Sequence, residues 1–198
     1  MIVFKDNCNS EPYKKFCKYY MQAIEDGQPN ADAICISSYS KNQNLVDSRF
    51  VNLKFVDGQD FIFFSNYSSP KALQFNSHDQ ISVSIFWHKI NLQIRMKAYI
   101  RKTNKDFNKL YFKDRSPEKN ALAISSMQSN QINSFQEVKE KYYDALKHSD
   151  LDNCPEYWGG YAFRPYIFEF WEGHKNRLNK RTSFALNSEV WKKTILEP

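Results

Sequence analysis

The chain has 198 residues, enough for one domain with a sizeable core, and a formal net charge of +6. Its basic residues are scattered rather than run together, which fits small anionic ligands and argues against a nucleic-acid arm. It shows no secretory leader and no long apolar run, so no membrane association is expected.

Cys8, Cys17, Cys35 and Cys154 have neither metal-type spacing nor a C-x-x-C pair, and reduced thiols in a cytoplasmic protein are the simplest expectation. His78, His88, His148 and His174 are scattered, so no metal site is expected. Aromatic residues make up 16% of the chain; most must be core, though some could flank a planar ligand.

In chain order, residues 1–11 read as a loose tail. From Pro12, the apolar positions Tyr13, Phe16, Cys17, Tyr20 and Ile24 repeat at helical spacing, predicting an amphipathic helix that ends near Gly27. Residues 33–39 read as a short buried strand and the polar residues 40–47 as a loop. Residues 49–55 and 61–66 pair as strands about a tight turn at Asp57-Gly58. Ser69 and Pro70 then resemble a helix start, with Ser69 as N-cap. Such a start beside Lys71 is either an ordinary capped helix or a phosphate site.

Ile81, Val83, Ile85 and Trp87 alternate as a half-buried strand does. After a turn at His88-Lys89, Leu92, Ile94, Met96, Ala98 and Ile100 alternate again, with Gln93 and Arg95 on the opposite, polar face. Residues 104–115 read as a helix with Phe107, Leu110 and Tyr111 toward the core. Ser134 and Glu137 form a capping box for a helix whose buried face is Val138, Tyr142 and Ala145. Gly159-Gly160 reads as a turn, residues 161–171 as a strand, residues 172–176 as a hairpin turn, and residues 190–196 as a last strand. If residues 177–181 continue the hairpin as a strand, Arg177, Asn179 and Arg181 face one side. Many strands on short turns, with helices between them, predict a mainly β fold: a closed or nearly closed antiparallel barrel with peripheral helices, in one domain over residues 1–198 with 158–198 as its C-terminal hairpin region.

Five segments carry a resemblance. WGGY at Trp158, followed by FEFW-x-G-x-x-x-RL-x-x-R ending at Arg181, resembles the C-terminal signature of the pyridoxamine 5′-phosphate oxidase family. SRFVNLK at 48–54, FFSNYSSPK at 63–71, LQIR at 92–95 and MQS at 127–129 resemble further family segments, in the family's order. The resemblance implies the split β-barrel that binds flavin mononucleotide (FMN), and a homodimer with flavin at the subunit interface. It implies an oxidase that converts pyridoxamine or pyridoxine 5′-phosphate, the B6 vitamers, to pyridoxal 5′-phosphate with O2 as electron acceptor.

Carried over residue by residue, Arg49, Ser65, Lys71, Gln93, Gln128, Ser129, Trp171 and Arg181 are the implied FMN contacts. Lys54, Tyr111, Arg115, Lys119, Arg177 and Asn179 are the implied substrate contacts, with Arg177 and Asn179 nearest the chemistry. Four positions depart from the family pattern. Pro70 replaces an Arg of the phosphate turn, Lys119 stands where a small Ser is usual, and Asn179-Lys180 replaces His-Asp. These changes weigh on the substrate more than on the cofactor. The alternatives are an FMN oxidase of the same family with another substrate, as in phenazine biosynthesis, and a non-enzymatic binder of flavin or pyridoxal phosphate.

Overall fold

The structure is a computed structural model that describes residues 1–6 and 9–198. Cys8 lies outside the described residues. Among them, Cys17, Cys35 and Cys154 are free thiols.

A ring of six strands forms the body. These are β2 (Ala33–Ser40), β3 (Leu45–Asp57), β4 (Asp60–Asn66), β5 (Gln80–Trp87), β6 (Leu92–Lys102) and β7 (Trp158–Glu172). They close in the order β2-β5-β6-β7-β4-β3 and back to β2, every pairing antiparallel. This is the barrel that the strand pattern predicts. The 15-residue β7 closes it because its first part pairs β4 and its later part pairs β6 and then β8 (Lys180–Asn187). β8 and β9 (Val190–Leu196) extend the sheet beyond the ring.

The core is aromatic. Phe61 stacks on Phe163 with centroids 5.2 Å apart, and Phe16 meets Phe61 edge-on at 5.0 Å. Phe16, Tyr13 and Tyr20 come from α1 (Glu11–Glu25), whose buried stripe seals the barrel as its spacing predicts. The remaining helices are α2 (Pro70–Ser77), α3 (Lys105–Lys113), α4 (Pro117–Ser125) and α5 (Phe135–His148). Among the described residues, no helix is long and apolar enough to cross a membrane.

Several local expectations are corrected. The N-terminal stretch is no loose tail: β1 (Val3–Lys5) pairs in parallel with β3, and Ile2 is buried, its N–H donating to the Tyr20 hydroxyl at 2.8 Å. The loop before β3 shrinks because β3 begins at Leu45 and pairs fully with β2. Gly159 and Gly160 are interior to β7, opposite Ser65 and Phe64, rather than a turn. They are glycines for want of space: a β-carbon on Gly159 would run into the Tyr67 hydroxyl and the Asn108 amide.

On α3, Phe107 and Tyr111 pack against Phe55 as expected, whereas Leu110 is 72% exposed and the fully buried residues are Asn108 and Phe112. α4 begins at Pro117 after Ser116, a helix that the sequence reading did not assign. The return of the C-terminal hairpin becomes strand only at Lys180, and Arg177 has a left-handed φ of 60°. Strand alternation therefore does not place Arg177, Asn179 and Arg181 on one side.

Candidate functional site

A cavity of about 540 Å³ opens beside β3 and β4, bordered by α3 and α4. It brings together Lys54, Ser65, Lys71, Tyr111, Arg115, Lys119 and Gln128. Each arrives by a definable route. Lys54 is the extra residue of a bulge in β3, where Leu53 pairs Phe63 and Phe55 already pairs Ile62. A bulge re-aims a side chain, and here it turns a lysine toward the cavity, its Nζ 3.1 Å from Asp32.

Lys71 occupies the first turn of α2. Ser69 holds the N-cap position, but its hydroxyl donates to the Asn66 carbonyl at 2.7 Å instead of capping the helix. Lys71 is only 7% exposed, and its Nζ lies 3.3 Å from the Ser65 hydroxyl and 3.2 Å from the Ser69 hydroxyl. Among the described residues no carboxylate forms an ion pair with it. Burial, and then the nearby Arg49 cation, push its pKa down to about 8. A buried ammonium held only by hydroxyls is chemically suited to an anion.

Arg49 stands behind this end of the cavity. Its guanidinium donates to Ser38 Oγ at 2.6 Å, Gln74 Oε1 at 2.6 Å and Asp47 Oδ2 at 2.7 Å. Gln74 lies three residues after Lys71 on α2, so one helix face carries both. Neither Gln74, Ser38 nor Asp47 was singled out from the sequence. Helical spacing from Lys71 was the available signal for Gln74; the other two are polar strand residues like many others.

The opposite end is aromatic and cationic. Phe64, Tyr111 and Trp158 stack in parallel, with Phe64 centroids 4.0 Å from Tyr111 and 5.1 Å from Trp158. The Arg115 guanidinium lies 4.5 Å from the Trp158 ring centroid. Its Nη2 donates to the Lys119 carbonyl at 3.1 Å, while its Nη1 is buried without a hydrogen-bond partner among the described residues. Burial depresses the pKa of this guanidinium. An unsatisfied buried donor beside the exposed Lys119 ammonium, at the edge of a flat aromatic wall, suits the anionic group of an aromatic ligand. Phe64 and Trp158 were read as strand and signature residues, not as this wall.

Gln93, Trp171 and Arg181 gather elsewhere. They are direct neighbours across β6, β7 and β8, Gln93 opposite Trp171 and Trp171 opposite Arg181. Arg181 is held by Glu169, Nε to Oε1 at 2.9 Å, and by the Glu197 carbonyl at 2.8 Å. The hairpin loop adjoins this row. There Arg177 is exposed, and the Asn179 Oδ1 accepts the His174 N–H at 3.0 Å, so its amide is tied to the loop backbone. None of these five residues lines the cavity. Ser129, just after the cavity residue Gln128, is exposed with a left-handed φ of 70°. Within one chain the singled-out residues thus form two groups.

Comparisons with known proteins bear on the family and the fold. A family profile described as the pyridoxine 5′-phosphate oxidase C-terminal dimerisation region matches residues 158–198. The pyridoxine/pyridoxamine 5′-phosphate oxidase 1 of Hydrogenovibrio crunogenus is 30% identical over 193 residues, covering 96% of this chain and 89% of that protein. The corresponding oxidase of Rippkaea orientalis is 31% identical over 199 residues, covering 98% and 92%. The crystal structure of PhzG from Burkholderia lata, in complex with tetrahydrophenazine-1-carboxylic acid, superposes with a TM-score of 0.90 at 21% identity, covering 96% of this chain and 93% of that one. A pyridoxamine 5′-phosphate oxidase-related, FMN-binding protein of Nostoc punctiforme superposes at 0.78 with 12% identity, covering 96% and 99%. At those identities the two structures speak for the fold alone.

Proposed function

The chain belongs to the pyridoxine/pyridoxamine 5′-phosphate oxidase family, and from that premise we propose that it is an FMN-dependent oxidase converting pyridoxamine or pyridoxine 5′-phosphate to pyridoxal 5′-phosphate with O2. The observation that carries this reading is the cavity itself. It has the buried Lys71 ammonium at one end and a second cationic end at Arg115 and Lys119, beside the Phe64–Tyr111–Trp158 wall. Two phosphates need holding, one on the cofactor and one on the substrate, and the cavity offers a place for each.

The donor set fits FMN. Lys71, with Ser65 beside it and Arg49 behind, would hold the cofactor phosphate, and Gln128 and Ser129 would edge the ring. Bound there, the flavin would supply the redox chemistry that the protein's own side chains lack. Arg115 and Lys119 would hold the substrate phosphate, while Tyr111 and Lys54 would flank its ring. The protein's own task is positioning: it fixes the substrate against the cofactor and keeps water from the reacting carbon.

The second group, Gln93, Trp171 and Arg181 with Arg177 and Asn179, supports a homodimer in which each site draws on two copies. The matched dimerisation region contains four of these five residues. Trp171 and Arg181 would then reach the flavin bound by the other copy, and Arg177 its substrate.

A second reading keeps the cofactor and changes the substrate. It is favoured by Asn179, whose amide is tied to the hairpin backbone. The deciding experiment is peroxide release by the flavin-loaded protein over a panel of phosphorylated and carboxylated aromatic amines and alcohols. Turnover of pyridoxamine 5′-phosphate supports the first reading. Turnover confined to a carboxylated substrate transfers the case to the second, and flavin binding without turnover of any panel member leaves a binder.

A further inference from the structure

The two ends of the cavity are held by different contacts. The Lys71 end rests on the Arg49–Gln74–Ser38 cluster. The other end joins Tyr111 on α3, Arg115 just past that helix, and Trp158 at the start of β7. For Arg115 to lie over Trp158, α3 and β7 must keep a fixed separation.

That separation is fixed behind the cavity by Asn108. This residue is 4% exposed and does not line the cavity. Its Oδ1 accepts the Gly160 N–H at 2.9 Å and the Thr103 hydroxyl at 2.5 Å. Its Nδ2 donates to the Tyr67 hydroxyl oxygen at 3.0 Å. The Tyr67 hydroxyl donates in turn to the Gly160 carbonyl at 3.0 Å, which also accepts the Thr103 N–H at 3.0 Å. Both polar groups of the Gly160 backbone are therefore clamped, two residues beyond Trp158. Gly159 between them leaves no room for a β-carbon, so the strand lies directly against this network.

The geometry points to Asn108 as a positioning residue for the substrate-phosphate end of the cavity, acting through Gly160 and Trp158 on Arg115; the identity of that ligand rests on the function proposed above. Only an amide serves at this place. Aspartate has no donor for Tyr67 and would bury a charge, and leucine would leave Gly160 N–H and the Thr103 hydroxyl unpaired. Of this network only Tyr67 belongs to the turn that carries Ser65, Ser69 and Lys71, and that turn has holds of its own, the Tyr67 N–H donating to the Tyr157 carbonyl and the Ser69 hydroxyl to the Asn66 carbonyl, so damage at Asn108 should reach the substrate and spare the cofactor.

The test uses the FMN-loaded protein and three variants, Asn108→Leu, Tyr67→Phe and Thr103→Val. Peroxide release yields KM and kcat for pyridoxamine 5′-phosphate, equilibrium dialysis yields the Kd of pyridoxal 5′-phosphate, and fluorescence yields the Kd of FMN. For Asn108→Leu, KM and the pyridoxal 5′-phosphate Kd should rise ~10-fold or more, and for Tyr67→Phe ~3-fold, with kcat within ~2-fold and FMN affinity unchanged. A variant with a lowered melting temperature but unaltered KM and Kd overturns the proposal. So does a parallel loss of FMN and substrate affinity, which marks a general structural role. If Asn108→Leu does not fold, Tyr67→Phe and Thr103→Val decide by the same criteria. If the wild type binds FMN yet neither binds pyridoxal 5′-phosphate nor oxidises the amine, the functional reading fails separately. The positioning role is then judged on the Kd of inorganic phosphate, followed by tryptophan fluorescence, by the same standard.

Discussion

Replacing Lys71 by methionine should stabilise the apoprotein and disable it. Lys71 is 7% exposed, and among the described residues no carboxylate forms an ion pair with it. Its pKa falls from 10.5 to about 8, chiefly through burial. At about 1.4 kcal/mol per decade, that depression corresponds to roughly 3 kcal/mol of folding free energy lost by keeping the ammonium charged inside the fold. Below pH 8 the lysine is charged in both the folded and unfolded chain, so this cost is fully present. Between about pH 8 and 10.5 the folded protein has lost the proton while the unfolded chain keeps it, so stability rises with pH across that window. Methionine has similar length and no charge. It removes the cost but also the contacts to Ser65 and Ser69, worth ~1 kcal/mol. Lys71→Met should therefore gain ~1–3 kcal/mol at pH 7 in urea unfolding of the apoprotein, and the gain should shrink toward pH 10. Its FMN affinity should drop ~30-fold or more, the expected loss of one charged phosphate contact. A Lys71→Met apoprotein less stable than wild type at pH 7, or a difference that ignores pH, would refute the argument that this ammonium is held in place for an anion.

Three further outcomes are expected. Light scattering with size exclusion should find a homodimer, and a monomer that retains FMN would contradict a site shared by two copies. Lys119→Ser should raise KM for pyridoxamine 5′-phosphate ~3-fold to 10-fold, as removal of one exposed phosphate contact does, with FMN affinity unmoved. Asn179→His should raise turnover ~10-fold near pH 6, where the ring is largely cationic, and less at pH 8. No gain at pH 6 would mean that the tie between position 179 and the His174 backbone, not the missing charge, sets the rate.

The barrel was legible because its strands follow simple rules. Leu92 to Ile100 alternate strictly, and the structure buries the same residues that the pattern assigns to the core. Signals failed where one residue served two ends. Gly159 and Gly160 carry the chemistry of a turn, yet they sit in a strand because Tyr67 and Asn108 press against it, through contacts across 41 to 93 residues that no local pattern encodes. Asn108 escaped notice among the buried residues of α3 for the same reason: a buried amide looks polar in sequence. The cavity residues were named through family resemblance, but their grouping was not. Nothing in the spacing of Lys71, Gln93 and Arg181 says that the first lies in a cavity while the other two lie in a row across β6, β7 and β8.

The four departures from the family pattern fall where the fold tolerates change. Pro70 opens α2, where a proline needs no hydrogen-bond partner and its fixed φ suits the first turn. Lys119 is an exposed residue of α4, and Asn179 and Lys180 lie at the mouth of a surface hairpin. None is part of the buried core, whereas Ser65 and Lys71 are buried and Arg49 is fixed by three side chains. A change at Ser65 or Arg49 would leave an unpaired polar group or an empty space, at a cost of ~1–3 kcal/mol each, and a change at Lys71 would relieve the buried charge only by giving up its contact to an anion. Pro70, Lys119 and Lys180 are exposed and carry no such penalty, and Asn179, half-buried, has only its hydrogen bond to the hairpin backbone to lose. Physical constraint is therefore strong on the proposed flavin-phosphate contacts and weak at the positions that differ, so the cofactor can stay fixed while selection retunes the substrate.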